Sequence, residues 1–337
     1  GGMITHAPDR QQGIAMIVVM WVIMVLSLLI SGFAFRMHVE TKIASFSRKE
    51  LKAQMLARSG IEVARMQLIL DTKSPTDAGF DSLVQAWATN QDLYVNHELG
   101  DGKYNVKVID EERKLPINTL SRAQLKRLVD VLGIDPSDGD VIVDSILDWI
   151  DEDDLHLLNG AEDDYYGELD PPYRAKNGPL DRIEELLLVR GVTKEIFDGT
   201  PGTEDTPGHP GLKQLLTTTS AGQVNVNTAS SEALQSILGL DETQVAAILT
   251  RRDGIDGEPG TDDDLPFRSA DEFLGALSGV DANAKQQLGQ MLTVNSNFFR
   301  VESTGEWGGV KHTINAVLFR QGNDCLVVSW NESRGGS

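Results

Sequence analysis

The sequence has almost no cysteine, since Cys325 is the only one among 337 residues. A single cysteine excludes an intramolecular disulfide and any metal site built from several thiolates. The motifs of the common enzyme classes are also missing: there is no H-E-x-x-H, no G-x-S-x-G, no phosphate-binding loop ending in G-K-S/T and no dinucleotide-binding fingerprint. The sequence therefore predicts that this protein is not an enzyme.

Positive charge is scarce, with 30 Lys and Arg against 51 Asp and Glu and a formal net charge of −21. The shortage is uneven, because residues 36–70 hold seven Lys and Arg but only three Glu. An acidic body argues against nucleic-acid binding, which depends on cationic contacts to phosphates. The basic segment directly follows an apolar run, so it either touches anionic lipid headgroups or forms an ordinary solvated helix face.

Charge is absent altogether from residues 14–35, which read IAMIVVMWVIMVLSLLISGFAF. As a helix these 22 residues would span about 33 Å, enough to cross a bilayer. A cleavable secretion signal has a shorter apolar core followed by small residues, whereas here a polar leader ending in Gly13 precedes the run. The sequence predicts a membrane anchor.

Proline is absent from residues 36–71, and only one glycine interrupts them. Apolar residues recur there at a spacing of three to four, as in one stripe along a helix: Ile43, Phe46, Leu51, Met55, Ile61, Ala64 and Leu68. The pattern predicts one helix from residue 14 to about residue 70. Its second half, the stalk, needs a surface against which to pack.

Strands are confined to two places. GKYNVKVID (102–110) alternates as a strand does, and three strand-like runs joined by turn signals follow residue 297. Together they predict a small antiparallel sheet. The helical segment between them contains an internal repeat, because INTLSRAQLKRLVDVLGID (117–135) is similar to VNTASSEALQSILGLD (226–241). Two helical units are expected, over about 113–200 and 222–293.

The amino terminus resembles that of type IV pilin precursors, in which a short polar leader is cut before the apolar run; here RQQG|IAMIVVMW places the cut between Gly13 and Ile14. With SILDWIDEDD, NGAEDDYY, PPYRAKNGPLDRIEELLLVRGV and VNVNTAS, the chain resembles the K-type minor pseudopilins (general secretion pathway protein K) of type II secretion over residues 8–330. The resemblance implies an α+β, pilin-like fold: a long N-terminal helix plus a small antiparallel sheet, with a large all-helical insertion of two helix-hairpin-helix/SAM-like units.

The expected boundaries follow from this organisation. They are a cleaved leader (1–13), a transmembrane helix (14–35), the stalk and first part of the pilin-like domain (36–112), the helical insertion (113–293) and the C-terminal part of the sheet (294–337). The resemblance further implies cleavage by a prepilin peptidase, methylation of the Ile14 amine, and a single-pass inner-membrane anchor with a periplasmic body.

Val18 stands at the fifth position after the expected cut, where pilins usually carry Glu. A carboxylate in hydrocarbon costs about 2.5–3.5 kcal/mol on insertion scales, so it is kept only where it has a partner. In pilins the implied partner is the terminal amine of the neighbouring subunit. A subunit without the Glu suits the first position of a fibre. The expected function is to cap the pseudopilus tip, with I-type and J-type minor pseudopilins as partners and secreted cargo as a further candidate.

The alternative function is that of a membrane-anchored DNA receptor, because the second unit also resembles the helix-hairpin-helix modules of such receptors. Those modules present a Gly-Ile-Gly hairpin to phosphate at a helix start. The third position of all four hairpins lacks glycine here, and three of them carry Asp: Gly133-Ile134-Asp135, Gly191-Val192-Thr193, Gly239-Leu240-Asp241 and Gly279-Val280-Asp281. The sequence therefore predicts no nucleic-acid partner.

Two acidic loops, residues 148–168 and 253–267, are rich in oxygen ligands of the kind that Ca²⁺ prefers. Neither loop has EF-hand spacing, and plain solvated charge is the alternative interpretation. The resemblance implies structural calcium, since K-type pseudopilins bind it. The candidate ligands are Asp151, Asp153, Asp154, Glu162, Asp163, Asp164, Asp256, Asp262, Asp263 and Asp264.

Overall fold

A computed structural model describes residues 10–76, 78–202 and 208–334. The fold is α+β and starts with a single long helix, α1, from Arg10 to Lys73. Helix α1 runs without interruption through the expected cleavage point between Gly13 and Ile14, whereas residues 1–9 of the expected leader lie outside the described part of the chain.

Within the described residues, five strands form the main sheet, and six very short strands form pairs elsewhere. The strands are β1 (His97–Leu99), β2 (Gly102–Asp110), β3 (Leu115–Pro116), β4 (Gly199–Thr200), β5 (His209–Pro210), β6 (Leu216–Thr217), β7 (Val224–Asn225), β8 (Leu292–Thr293), β9 (Phe298–Trp307), β10 (Val310–Gln321) and β11 (Asp324–Arg334). The sheet order is β1-β2-β9-β10-β11, with antiparallel pairing throughout. The predicted small antiparallel sheet is confirmed.

The sheet packs very closely on the C-terminal half of α1, because glycines line the contact. A Cβ atom at Gly305 would lie 2.1 Å from the Ala53 carbonyl oxygen, and one at Gly60 would lie 2.2 Å from Ser303 Oγ. The buried side chains of α1 are accordingly small or medium-sized, for example Ala57 at 0% exposure. Close approach of the two backbones selects small residues at the contact.

The apolar stripe predicted along the stalk therefore divides into two groups. Ile61, Ala64 and Leu68 are fully buried under the sheet. Ile43, Phe46, Leu51 and Met55 are exposed instead, at 60%, 54%, 53% and 49%. These four residues are called the exposed stalk face below.

The insertion is mainly helical. After the short helices α2 (Ala86–Thr89) and α3 (Gln91–Tyr94), it contains α4 (Arg122–Val131), α5 (Pro136–Ile150), α6 (Asp163–Tyr166), α7 (Lys194–Asp198), α8 (Leu212–Leu215), α9 (Ser231–Leu238), α10 (Glu242–Arg252), α11 (Ala270–Ala276) and α12 (Ala282–Met291). The expectation of an all-helical insertion is too strict, because β3 pairs with β6 and β7 with β8, each in parallel, and β4 pairs with β5. These pairs satisfy backbone groups where segments distant in sequence meet.

The internal repeat corresponds to repeated contacts. Asn118 accepts a hydrogen bond from the Leu180 backbone N (2.8 Å) and donates to its carbonyl oxygen (3.0 Å). Asn227 makes the same two bonds, both 2.8 Å, with Phe267. Each Asn thus fixes the segment that carries the third piece of its own repeat.

Buried polar contacts join the sheet to the insertion at the far end of β2. Asp110 Oδ2 accepts hydrogen bonds from Thr228 Oγ1 (2.6 Å) and Ser296 Oγ (2.7 Å), and the next residue, Glu111, is bound by Arg300 Nε at 2.5 Å. Asp110 and Glu111 are both essentially inaccessible to solvent. The insertion therefore leaves the sheet through a fixed, hydrogen-bonded joint.

Candidate functional site

The N-terminal part of α1 projects from the body. Its apolar side chains from Met16 to Phe35 are mostly more than half exposed, Val18 among them at 55%. The helix is long and apolar enough to span a membrane, with a mean hydropathy of 2.6 in its most apolar window. Solvent exposure is described only from Ala15 onward, so the predicted processing residues Gly13 and Ile14 lie outside the part of α1 for which exposure is known. An uncovered apolar helix of this length needs either lipid or other helices around it.

The first acidic loop contains buried carboxylate oxygens with no hydrogen-bond partner among the described residues. Glu162 precedes α6, is 2% exposed, and leaves both Oε atoms unpaired; Asp151 Oδ1, directly after α5, is also buried and unpaired. Burial raises the pKa of Glu162 to about 7, and the carboxylates of Asp148 and Asp151 add to the rise. Unpaired buried oxygens are costly, and a cation would remove that cost.

Asn177 lies outside residues 148–168 but contacts this loop, and it is not among the ligands predicted from the sequence. Its Nδ2 donates to Asp154 Oδ1 at 2.8 Å and to the Asp153 carbonyl oxygen at 3.3 Å, while its Oδ1 is buried and unpaired. Asn177 has a φ of +47°, as an Asn before a Gly in a turn often does. The Asn-Gly pair in PPYRAKNG was the available sequence signal, because an amide oxygen on a turn is a normal Ca²⁺ ligand.

The remaining predicted ligands of this loop have other partners. Asp153 Oδ1 accepts a hydrogen bond from the Leu155 backbone N at 2.8 Å. Asp163 Oδ1 accepts one from Ala175 N at 2.8 Å, and Asp164 Oδ1 accepts one from the adjacent Tyr165 N. The Asn177 amide thus contacts Asp153 and Asp154. Glu162 is close enough to Asp151 for their carboxylates to repel one another, whereas Asp163 and Asp164 accept hydrogen bonds from backbone N–H groups.

The second acidic loop brings three of its four predicted carboxylates together. One oxygen from each of Asp256, Asp263 and Asp264 lies within 4.8 Å of the others. The Thr261 hydroxyl donates to Asp263 Oδ1 at 2.8 Å, and this bond lowers the pKa of Asp263. Asp262 is exposed and lies outside this group of three. Three ionised oxygens so close together repel one another unless a cation or solvent intervenes.

The four helix hairpins adopt the backbone that their glycines predict, with positive φ at Gly133, Gly191, Gly239 and Gly279. The Asp side chains then cap the following helices themselves. For example, Asp241 Oδ1 accepts a hydrogen bond from Gln244 N at 2.8 Å, and Asp135 and Asp281 make equivalent bonds at 3.0 and 2.9 Å. A fixed carboxylate therefore occupies the place where a phosphate would bind at the helix start.

Comparison with known proteins gives a consistent result. Models of the type II secretion system protein K family match residues 102–199 and 224–295. Type II secretion system protein K of Aeromonas hydrophila is 25% identical over 359 aligned positions, which cover 97% of this chain and 98% of that protein. The Pseudomonas aeruginosa protein K is 26% identical, over 92% of this chain and 89% of its own length.

The fold is shared with a chain in the crystal structure of the GspK-GspI-GspJ complex from the type 2 secretion system of enterotoxigenic Escherichia coli. The TM-score is 0.67 at 23% sequence identity, covering 87% of this chain and 99% of that one. The pilin-type arrangement of long helix and antiparallel sheet is therefore shared across most of both chains.

Proposed function

This chain belongs to the protein K family of the type II secretion system, and we propose that it works as the minor pseudopilin that caps the pseudopilus tip, starts its assembly and so supports protein export across the outer membrane. The supporting observation is the position of the insertion. It leaves the sheet at Asp110, at the end of β2, and returns before Phe298, at the start of β9. Both points are at the end of the sheet away from the anchor, so the insertion would block a subunit stacked above.

The exposed stalk face is the proposed contact with neighbouring subunits. Four large apolar side chains in water-accessible positions on one helix suit burial against other helices. The structurally similar K protein was crystallised with I and J proteins, and we propose I-type and J-type minor pseudopilins as the partners here. Secreted cargo is a further proposed partner, at the insertion.

Processing and location follow the same proposal. A prepilin peptidase would cut between Gly13 and Ile14 and the new Ile14 amine would be methylated, which leaves the apolar helix in the inner membrane and the acidic body in the periplasm. Mass spectrometry of the mature amino terminus tests this step. An N-methylated Ile14 is expected; a chain that keeps residues 1–13 would contradict it.

The partner contact is tested by the variant Phe46→Glu, in which a carboxylate replaces an exposed apolar side chain of the stalk. Co-purification of the full chain with I-type and J-type subunits is expected to be lost. Gln286→Glu, on the exposed surface of α12, adds the same charge far from the stalk and should leave co-purification intact. Equal recovery of partners with both variants would rule out this stalk contact.

The fine structure of the insertion is also part of the proposal. We propose two homologous helix-hairpin-helix/SAM-like units, each opened and closed by a parallel strand pair, β3–β6 and β7–β8. The equivalent bonds made by Asn118 and Asn227 support this division. The first unit would then extend to about residue 217 rather than the expected 200.

Structural calcium is proposed for both acidic loops. Asp151, Glu162 and Asn177 would supply oxygens at the first loop, and Asp256, Asp263 and Asp264 at the second. The ion would supply positive charge for carboxylates that otherwise repel one another, and its binding to the folded state would raise the melting temperature. Equal melting temperatures with calcium and with a chelator would contradict the calcium proposal.

A DNA receptor is not favoured by any of these contacts, because carboxylates cap three hairpins. A gel shift at low salt with the full chain in detergent tests this point. Clear retention of DNA would favour the DNA-receptor function over the minor-pseudopilin function.

A further inference from the structure

The end of the sheet nearest the membrane anchor is cationic, although the chain as a whole carries −21. The turn between β9 and β10 lies against the stalk at this end: Lys49 Nζ donates to the Gly308 carbonyl oxygen at 3.2 Å, and Lys52 Nζ lies 4.0 Å from the centroid of the Trp307 ring. Residue 52 precedes Ala53, the first residue of α1 that is buried under the sheet. The turn therefore marks the anchor side of the body.

Six cationic side chains from four elements, α1, β2, β10 and β11, meet at this end. We call them the basic rim: Arg48, Lys49, Lys52, Lys103, Lys311 and Arg334. Among the described residues, five carboxylates share the same end, namely Glu50, Glu98, Asp101, Glu306 and Glu332. Three of these are already neutralised, because Glu50 is 2.5 Å from Arg334, Glu306 is 3.7 Å from Lys103, and Glu332 is 3.2 Å from Arg58, which lies outside the rim. Lys49 and Lys52 contact a carbonyl oxygen and an indole face rather than carboxylates, so their charge remains available.

The length of α1 limits how the rim can meet a membrane. The uncharged run ends at Phe35, and Lys49 lies about 21 Å further along a helix that rises about 1.5 Å per residue. Headgroups extend only about 5–8 Å beyond the hydrocarbon, and screening reduces attraction beyond about 8 Å. An upright helix would hold the rim out of reach.

A tilted helix brings the rim to the headgroups. Transmembrane helices tilt by up to about 40°, which would lower Lys49 to about 16 Å above the hydrocarbon. The sheet packs on one side of α1, about 10 Å from its axis, so a tilt toward that side lowers Lys103 and Lys311 by roughly 6 Å more. Trp307, at the same end, has the amphipathic ring that is typical of membrane interfaces.

We propose that the basic rim binds anionic phospholipid headgroups and holds the unassembled subunit tilted, with its sheet against the bilayer. The proposal depends on the membrane anchor proposed above. Charge complementarity carries it: an acidic body is repelled by an anionic surface, so the cationic end is the one that can face it. Leaving the membrane for the fibre would require release of these headgroup contacts.

Neutron reflectometry on the full chain reconstituted in supported bilayers tests this orientation. The measured quantity is the distance between the centre of the protein layer and the bilayer surface, in phosphatidylcholine alone and with a quarter phosphatidylglycerol. With the anionic lipid we expect this distance to shorten by at least about 10 Å, because a 40° tilt lowers Lys103 and Lys311 by about that much and lowers the more distant parts of the body further. The distance should lengthen again at about 0.5 M salt, where charges are screened.

The triple variant Lys49→Gln, Lys52→Gln, Lys311→Gln is expected to show the longer distance in both bilayers. The matched control Lys194→Gln, Lys213→Gln, Lys285→Gln removes equal charge from the insertion and should behave as the parent. The headgroup contact is overturned if the distance is the same with and without phosphatidylglycerol. It is also overturned if the control variant lengthens the distance as much as the rim variant does. A chain that alkaline carbonate extracts from the bilayer overturns the anchor itself. If the distance does not respond to phosphatidylglycerol and the rim instead retains an acidic protein on neutral bilayers, the rim is a contact for a protein partner.

Discussion

At the scale of single residues, glycine allows the backbones of α1 and the sheet to approach closely. At Gly305 an added methyl group would meet the Ala53 carbonyl oxygen at 2.1 Å and the Ala57 backbone N at 2.5 Å, neither of which can move away as a side-chain end could. The carboxylates of the acidic loops are the other residue-scale feature. Burying the unpaired carboxylate oxygens of Glu162 costs free energy of folding, and a bound cation would offset that cost.

The variant Gly305→Ala should destabilise the sheet against α1 by about 1–3 kcal/mol, because overpacking forces the two backbones apart. Thermal unfolding of the full chain in detergent is the measurement. Gly275→Ala is the matched control, since its Cβ would meet nothing within 4 Å and helical Ala is favoured over Gly. An unchanged or higher melting temperature for Gly305→Ala would show that the helix and the sheet are not in such close contact.

The variant Glu162→Gln should reduce the rise in melting temperature that calcium produces, because an amide replaces a charged ligand. Without calcium it should melt at or above the temperature of the parent, since no buried carboxylate remains there. The control is Glu184→Gln, which removes an exposed carboxylate of the same unit. A full calcium response in Glu162→Gln would exclude Glu162 as a ligand.

At the scale of elements, the repeated units are held by side chains that bind backbone across long sequence separations. Asn118 and Asn227 each fix a segment 62 or 40 residues away. The two units also contact one another, where Arg127 Nε on α4 donates to the Ser236 carbonyl oxygen on α9 at 2.8 Å. Helix propensity alone would not fix these elements in place, so the Asn residues are as important to the units as their apolar cores.

The variant Asn227→Ala is expected to destabilise the second unit by about 2 kcal/mol or more, because it leaves the buried N–H and carbonyl groups of Phe267 unpaired. Asn118→Ala should cost less, since its site is only partly buried. Unfolding followed by tryptophan fluorescence and circular dichroism measures both. Equal stability of the parent and the Asn227→Ala variant would remove the proposed role of Asn227.

At the scale of the whole molecule, the joint at Asp110 decides how the insertion sits on the sheet. Burial raises the pKa of Asp110 to about 7, although hydrogen bonds from Ser296 and Thr228 act in the opposite direction. The folded chain therefore holds a proton that the unfolded chain releases above about pH 4. By linkage, the Asp110 carboxyl contributes most to stability below pH 4, and this contribution is lost as the pH rises toward 7.

The variant Asp110→Asn should flatten the dependence of melting temperature on pH between about 4 and 7, because its side chain does not titrate. The comparison is made with a chelator present, so that calcium does not contribute. Asp271→Asn, at an exposed position, should keep the parental slope. A parental slope in Asp110→Asn as well would mean that Asp110 does not titrate in this range.

The sequence by itself determined the uncharged anchor, the helical stalk, the antiparallel sheet and the loss of phosphate-binding hairpins, because these depend on local periodicity, charge and turn chemistry. It also indicated the second acidic loop, whose three grouped carboxylates are close in sequence. Only the tertiary structure decided which stalk residues are buried, since Ile61 and Phe46 look alike in sequence and differ in whether the sheet covers them. Likewise, Asn177 joins the first loop, and Lys311 the basic rim, through contacts between distant segments that no local pattern encodes.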